Sequence, residues 1–224
     1  MFVKTRINNR QEDYVKKYAE KKRRYELFLQ QWAELGERYN EVANSTAKIY
    51  KQIYEDEIEV FFGEELVRWE NMRSAEELKA IYEYTANSSS VINGYLRGKN
   101  MRGTDKKYIQ RQIKLISSAI ADFNLERDIL VYRIGDKEFN KSETFTLKGF
   151  TSTCINRRIL VINCDDCVQY QIEVPSGKGR GAYICNQSRY KNEYEFLLQR
   201  DTKVKVIRKL TNGEFTMVRL RVVD

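Results

Sequence analysis

Aromatic residues near the start of the chain recur at helical spacing. Tyr14, Tyr18, Tyr25, Phe28 and Trp32 are separated by four, seven, three and four residues, which places them on one helical face. Lys16, Lys17, Lys21, Lys22, Arg23 and Arg24 occupy the remaining positions. This pattern predicts a helix whose aromatic stripe packs against the helix that follows, in preference to a face that binds a partner. A second run, Val42, Ile49, Ile53 and Val60, predicts another helix ending near Phe61-Phe62-Gly63. Ser74-Ala75-Glu76-Glu77 has the form of a capping box and predicts a helix from there to about Tyr84. Asn87 to Ser90 predicts a break, with helix resuming through Val91–Arg97, and Thr104 or Asp105 predicts the cap of a helix through Ala121.

The pattern changes after Asp128. Segments 129–133, 144–150, 168–174, 182–185, 195–198, 202–207 and 215–222 are short and rich in β-branched or aromatic residues, with Gly, Asn and Asp between them. Val218, Leu220 and Val222 alternate with Arg219 and Arg221, as in a strand with one wet face. Pro175, the single proline, ends a strand-like run, where its missing N–H does little harm. Helices first and strands later define an α+β chain. Two parts are expected: a helical extension over 1–70 and a mixed domain over 71–224.

Composition narrows the chemistry. The chain has 224 residues, 42% hydrophobic and 32% charged, which suits a folded globular protein. No apolar run approaches the roughly 20 residues of a membrane span. The start, Met1 to Arg10, holds no apolar signal core, so either a leader was removed or none existed. Histidine is absent, which excludes Ser-His-Asp and Cys-His catalysis and His-based metal sites. The net charge is +8, and residues 1–70 are close to neutral, so the excess lies in 71–224 and suits an anionic ligand or simple solubility. Cys164 and Cys167 have zinc-like spacing, but Cys154 and Cys185 are isolated, so neither a metal site nor a disulfide is expected.

Three short stretches carry candidate chemistry: Arg133 at the end of Leu-Val-Tyr-Arg, Ser152 in Gly-Phe-Thr-Ser-Thr-Cys, and Glu193-Tyr194-Glu195. On an extended segment, two carboxylates at i and i+2 point to the same side. Two like charges in one cleft imply divided tasks. This order of basic anchor, hydroxyl and carboxylate pair resembles the arginine–serine–glutamate class of mono-ADP-ribosyltransferases. The stretch from Ser74 to about Arg208 resembles the catalytic domain of the bacterial binary actin-modifying toxins and related exoenzymes. The resemblance rests on Glu83-Tyr84-Thr85, Val91 to Arg97, Ile172 to Pro175, Gly181 to Tyr183 and Tyr190 to Leu198.

The resemblance implies a two-sheet β core with an NAD cleft, and NAD as substrate. Glu195 would stabilise the ribosyl cation, Ser152 would hold Glu195, and Arg133 would bind the diphosphate. Tyr84, Asn93 and Arg97 would contact the nucleotide from the helical side. Glu193 would orient an incoming guanidinium and take its proton, and Tyr190 would help recognise the protein that carries it. The family's usual Ser-Thr-Ser reads Ser152-Thr153-Cys154 here, and a family tyrosine is replaced by Ser89. Arg157 and Arg158 are either diphosphate ligands or solvated loop residues.

The expected activity is transfer of ADP-ribose from NAD to an arginine of a target protein. The alternatives are NAD glycohydrolysis on the same fold, or a silent binding module. Actin is the target the resemblance favours, with a bacterial protein the other candidate, and a delivery partner is conceivable. Such a protein would be secreted or injected and would act in the target-cell cytoplasm. No nucleic-acid partner and no metal are expected.

Overall fold

The computed structural model describes residues 2–42, 51–100, 103, 105–135, 144–156 and 168–224, with side chains of the first helix described over 14–35. Ile49, Arg157, Arg158, Cys164 and Cys167 lie outside the described residues. Helices come first and strands later, so the α+β expectation holds.

The strands form a mixed sheet. From one edge it runs β3 (Thr144–Leu147), β9 (Thr202–Thr211), β10 (Thr216–Val223), β5 (Val168–Val174), β2 (Ile129–Gly135), β4 (Thr151–Cys154), β8 (Glu195–Leu198) and β7 (Gly181–Tyr183). Among the described strands of this sheet, only the β10–β5 pair is parallel. A small ribbon pairs β1 (Asn124–Leu125) with β6 (Gly177–Lys178). The large sheet is narrowest at β2–β4. There the register consists of Tyr132 opposite Cys154, whereas β2 pairs with β5 from Ile129 to Gly135. The sheet therefore divides into a five-stranded and a three-stranded part, matching the two-sheet expectation.

Each face of the five-stranded part is covered differently. Val168, Tyr170, Ile172 and Val174 of β5 join the main core with Trp69, Ile81, Ile92, Ile116 and Phe123 from the helical layer. The opposite face of β5 presents Gln169, Gln171 and Glu173, each about 4% exposed. Helix α1 (Phe2–Val42) covers that face, packing Tyr25, Phe28 and Trp32 onto Leu130, Tyr132, Phe215 and Met217. Buried polar groups need partners. Tyr25 Oη donates to Gln169 Oε1 at 2.5 Å, and Trp32 Nε1 donates to Gln171 Oε1 at 3.2 Å. Arg219 Nε donates to Glu173 at 2.7 Å, and Arg221 donates to its other oxygen.

Two expectations are corrected here. The aromatic stripe packs on the sheet and not on the next helix, and its first members, Tyr14 and Tyr18, are exposed. Arg219 and Arg221 are only partly exposed, because both pair with the buried Glu173.

The other helices cover the opposite side. Helix α2 (Ile58–Asn71) begins where the sequence pattern predicted an end. Gly63 lies inside it and does not terminate the helix. Ser74 caps α3 (Ala75–Glu83), accepting from Glu77 N at 3.2 Å while Ser74 N donates to the Glu77 carboxylate at 2.9 Å. The predicted break at Asn87–Ser90 is a wide helical turn over Tyr84–Ser88 that leads directly into α4 (Ser89–Leu96). Asp105 caps α5 (Lys106–Ala121), accepting from Lys107 N and Tyr108 N.

Candidate active site

The site forms where the two parts of the sheet separate. Arg133 lies on β2, just past the last residue paired with β4. Its Nη1 donates to the Ser152 carbonyl at 2.6 Å, so the side chain bridges the gap that the strand ladder leaves. Ser152 is in β4, and Glu195 opens β8 opposite Cys154. Arg133, Ser152, Glu193 and Glu195 line one cleft of about 140 Å³ with Tyr132, Ile134, Thr153 and Cys154. A larger cavity of about 380 Å³, between α2 and the loop 123–127, contains none of these four residues. Size alone therefore does not mark the chemistry.

Glu195 is 4% exposed. Burial raises its pKa above the usual carboxylate value, and the nearby Glu193 charge adds to this. Hydrogen bonds from Ser152 and Ser188, and the Arg133 guanidinium, act in the opposite direction. The Ser188 contact is direct: Oγ donates to Glu195 Oε2 at 3.2 Å and accepts from Tyr190 N at 3.1 Å. Ser188 was not singled out in the sequence. It lies in the irregular loop before Tyr190, where no spacing rule marks one serine as buried.

Glu193 is placed differently from the sequence expectation. It ends a 3-10 turn, Lys191–Glu193, and is exposed. Tyr194 then adopts φ 47 and ψ 50, the left-handed region. The two glutamates are thus not neighbours on one extended strand. A left-handed residue separates them, and both line the same cleft.

Tyr84, Asn93, Arg97 and Tyr190 do not line this cleft. Asn93 Nδ2 donates to Tyr84 Oη at 2.9 Å and to the Phe150 carbonyl at 3.1 Å, and Tyr84 Oη also reaches that carbonyl at 3.3 Å. Tyr84 is 2% exposed and meets Phe150 edge to face at 5.6 Å. Gly149 is required here, since a Cβ would stand 2.6 Å from Asn93 Oδ1. In this arrangement Tyr84 and Asn93 fix the turn that leads into Ser152. Arg97, just after α4, and Tyr190, before the 3-10 turn, are both exposed. Among the described residues no group of His, Cys, Asp and Glu could hold a metal. No described helix is long and apolar enough to cross a membrane.

A divided mixed sheet with arginine on one part, and serine and a buried glutamate on the other, defines a recognisable class of fold and site. Residues 59–221 match the ADP-ribosyltransferase exoenzyme family model, and the chain belongs to that family. It is 28% identical over 151 residues to the NAD(+)–arginine ADP-ribosyltransferase EFV of Enterococcus faecalis. That alignment covers 62% of this chain but only 30% of EFV. Several solved structures share the fold. Plx2a, an ADP-ribosyltransferase toxin from Paenibacillus larvae, has a TM-score of 0.66 at 24% identity, covering 79% of this chain and 100% of its own. C3stau2 from S. aureus, solved with NAD, has a TM-score of 0.64 at 21% identity, covering 80% of this chain and 100% of its own.

Proposed function

We propose that the chain transfers ADP-ribose from NAD to an arginine side chain of a target protein. The observation that carries this reading is the meeting of Arg133, Ser152, Glu193 and Glu195 in one cleft, with one carboxylate buried and the other open. The family membership and the name of the E. faecalis relative support the same reaction.

The chemistry follows from the surroundings of each group. The Arg133 guanidinium offers a planar fork suited to a diphosphate. When the bond between ribose C1 and the nicotinamide nitrogen breaks, the electron pair leaves with nicotinamide and positive charge develops on the ribose. The buried Glu195 carboxylate stabilises that charge, held in place by Ser152 and Ser188. A guanidinium nitrogen then bonds to C1. Its proton passes to Glu193, whose exposed position lets a protein side chain approach. Tyr190, half exposed beside this turn, would meet the target surface, and Arg97 would face the nucleotide.

The openness of Glu193 also favours a second reading, because water can reach the same carbon and give NAD hydrolysis. Incubation with labelled NAD and agmatine separates them. Label on agmatine supports transfer, and nicotinamide release without labelled agmatine supports hydrolysis alone.

The target is proposed on resemblance: actin first, a bacterial protein second, reached after secretion or injection. Residues 1–70 are proposed to brace the catalytic part over 71–224, a role supported by the packing of α1 on β2, β5 and β10.

A further inference from the structure

Tyr194 adopts a backbone conformation that residues with side chains avoid, and such conformations persist only where the surroundings enforce them. Four of the enforcing contacts come from flanking strands and loops. Ile155 N donates to the Tyr194 carbonyl at 3.0 Å, and Ile184 N to the Glu195 carbonyl at 3.0 Å. Cys154 Sγ donates to the Glu193 carbonyl at 2.7 Å, and Cys185 Sγ to the Lys191 carbonyl at 2.9 Å. A fifth comes from the N-terminal side. Tyr194 Oη donates to Glu55 Oε1 at 2.6 Å, and Asn156 Nδ2 donates to Glu55 Oε2 at 3.4 Å.

Glu55 precedes the first residue of the family match, residue 59. It is nonetheless on a fixed strip. Lys51 N donates to the Asp128 carbonyl at 3.2 Å, Leu130 N donates to the Lys51 carbonyl at 3.0 Å, and Ile53 is 1% exposed. The strip is thereby tied to β2, the strand that carries Arg133.

We infer that Glu55 is a positioning residue for the acceptor step: it anchors the Tyr194 hydroxyl and so fixes the turn that presents Glu193. This rests on the proposed transfer function. The anchor bears on Glu193 and not on Glu195, because β4 and β7 already hold the start of β8 from both sides. It therefore acts on transfer to arginine and leaves NAD cleavage alone. The part of the chain outside the family match would contribute to acceptor use in this way.

The test measures agmatine ADP-ribosylation and acceptor-free nicotinamide release for the full chain and its variants. Glu55 is exposed, so Glu55→Ala leaves the fold intact. Glu55→Ala and Tyr194→Phe should each lower kcat/KM for agmatine about fivefold while hydrolysis stays within about twofold. The double variant should be no worse than either single one, since both remove the same bond. Glu55→Gln should restore most transfer, because its amide oxygen still accepts. Unchanged transfer, equal loss of both activities, or additive losses would overturn the inference while leaving the proposed function standing. A wild-type protein that labels no agmatine would overturn both.

Discussion

Glu195 opens β8 in a nearly dry position, whereas Glu193 ends a 3-10 turn in contact with water. The first is placed by strand ladders on both sides, the second by thiols, a phenol and a left-handed residue. A strand supplies its geometry through repeated backbone bonds, but a turn needs individual fasteners. Burial gives Glu195 the low-dielectric surroundings in which a carboxylate acts strongly on a nearby cation. On the proposed function, exposure would give Glu193 access to a substrate that is itself a protein. On that same function, the difference would assign bond cleavage to the rigid position and acceptor handling to the adjustable one.

The strongest test of this division is Glu195→Gln. It should lower both transfer and acceptor-free NAD hydrolysis by about a thousandfold, read as nicotinamide release. Glu193→Gln should lower agmatine labelling about a hundredfold and leave hydrolysis within a few fold. Equal loss of both activities would mean that the two carboxylates share one task.

Ser188→Ala should produce a smaller loss, about tenfold in hydrolysis. The Ser188 hydrogen bond lowers the Glu195 pKa, so its removal raises it, and the acid limb of the pH–rate profile should move to higher pH. A tenfold loss with an unmoved acid limb would reduce Ser188 to a packing role.

The smallest effect concerns stability. The folded-state pKa of Glu195 is raised, so the folded protein holds this proton more tightly than the unfolded chain. Its favourable contribution is complete below the unfolded pKa and is lost as pH rises through the folded one. Glu195→Gln should therefore raise Tm slightly at neutral pH, and the gain should vanish as pH falls through the carboxylate range. Thermal unfolding at several pH values checks this.

Most of the architecture was legible because local signals agreed with tertiary ones. Short β-branched runs became strands, Ser74 with Glu77 capped α3, and Asp105 capped α5. Errors arose where the deciding contact was distant in sequence. The stripe Tyr25, Phe28 and Trp32 was visibly apolar, but periodicity does not name the surface it will cover, and that surface is distant in sequence, on Leu130, Tyr132, Phe215 and Met217. Arg219 and Arg221 read as a wet face for the same reason, since their partner Glu173 lies on another strand.

The four polar residues singled out in the sequence are gathered by the fold into one cleft. The local shape was not, because Tyr194 adopts a conformation rare for a tyrosine, and only surrounding contacts impose it. Ser188 and Glu55 escaped notice because a lone serine in a loop and a glutamate in an acidic stretch carry no spacing signal. Tyr84, expected at the nucleotide, sits against Phe150 because its hydroxyl has partners inside the protein.

The narrow junction between β2 and β4 has a consequence for motion. Where two sheet parts meet through one residue pair, amides on either side can open in separate local events. Arg133 belongs to one part, and Ser152 and Glu195 to the other. A dinucleotide gripped by both would rivet them together, turning two independent openings into one and slowing amide exchange on both flanks of the seam at once.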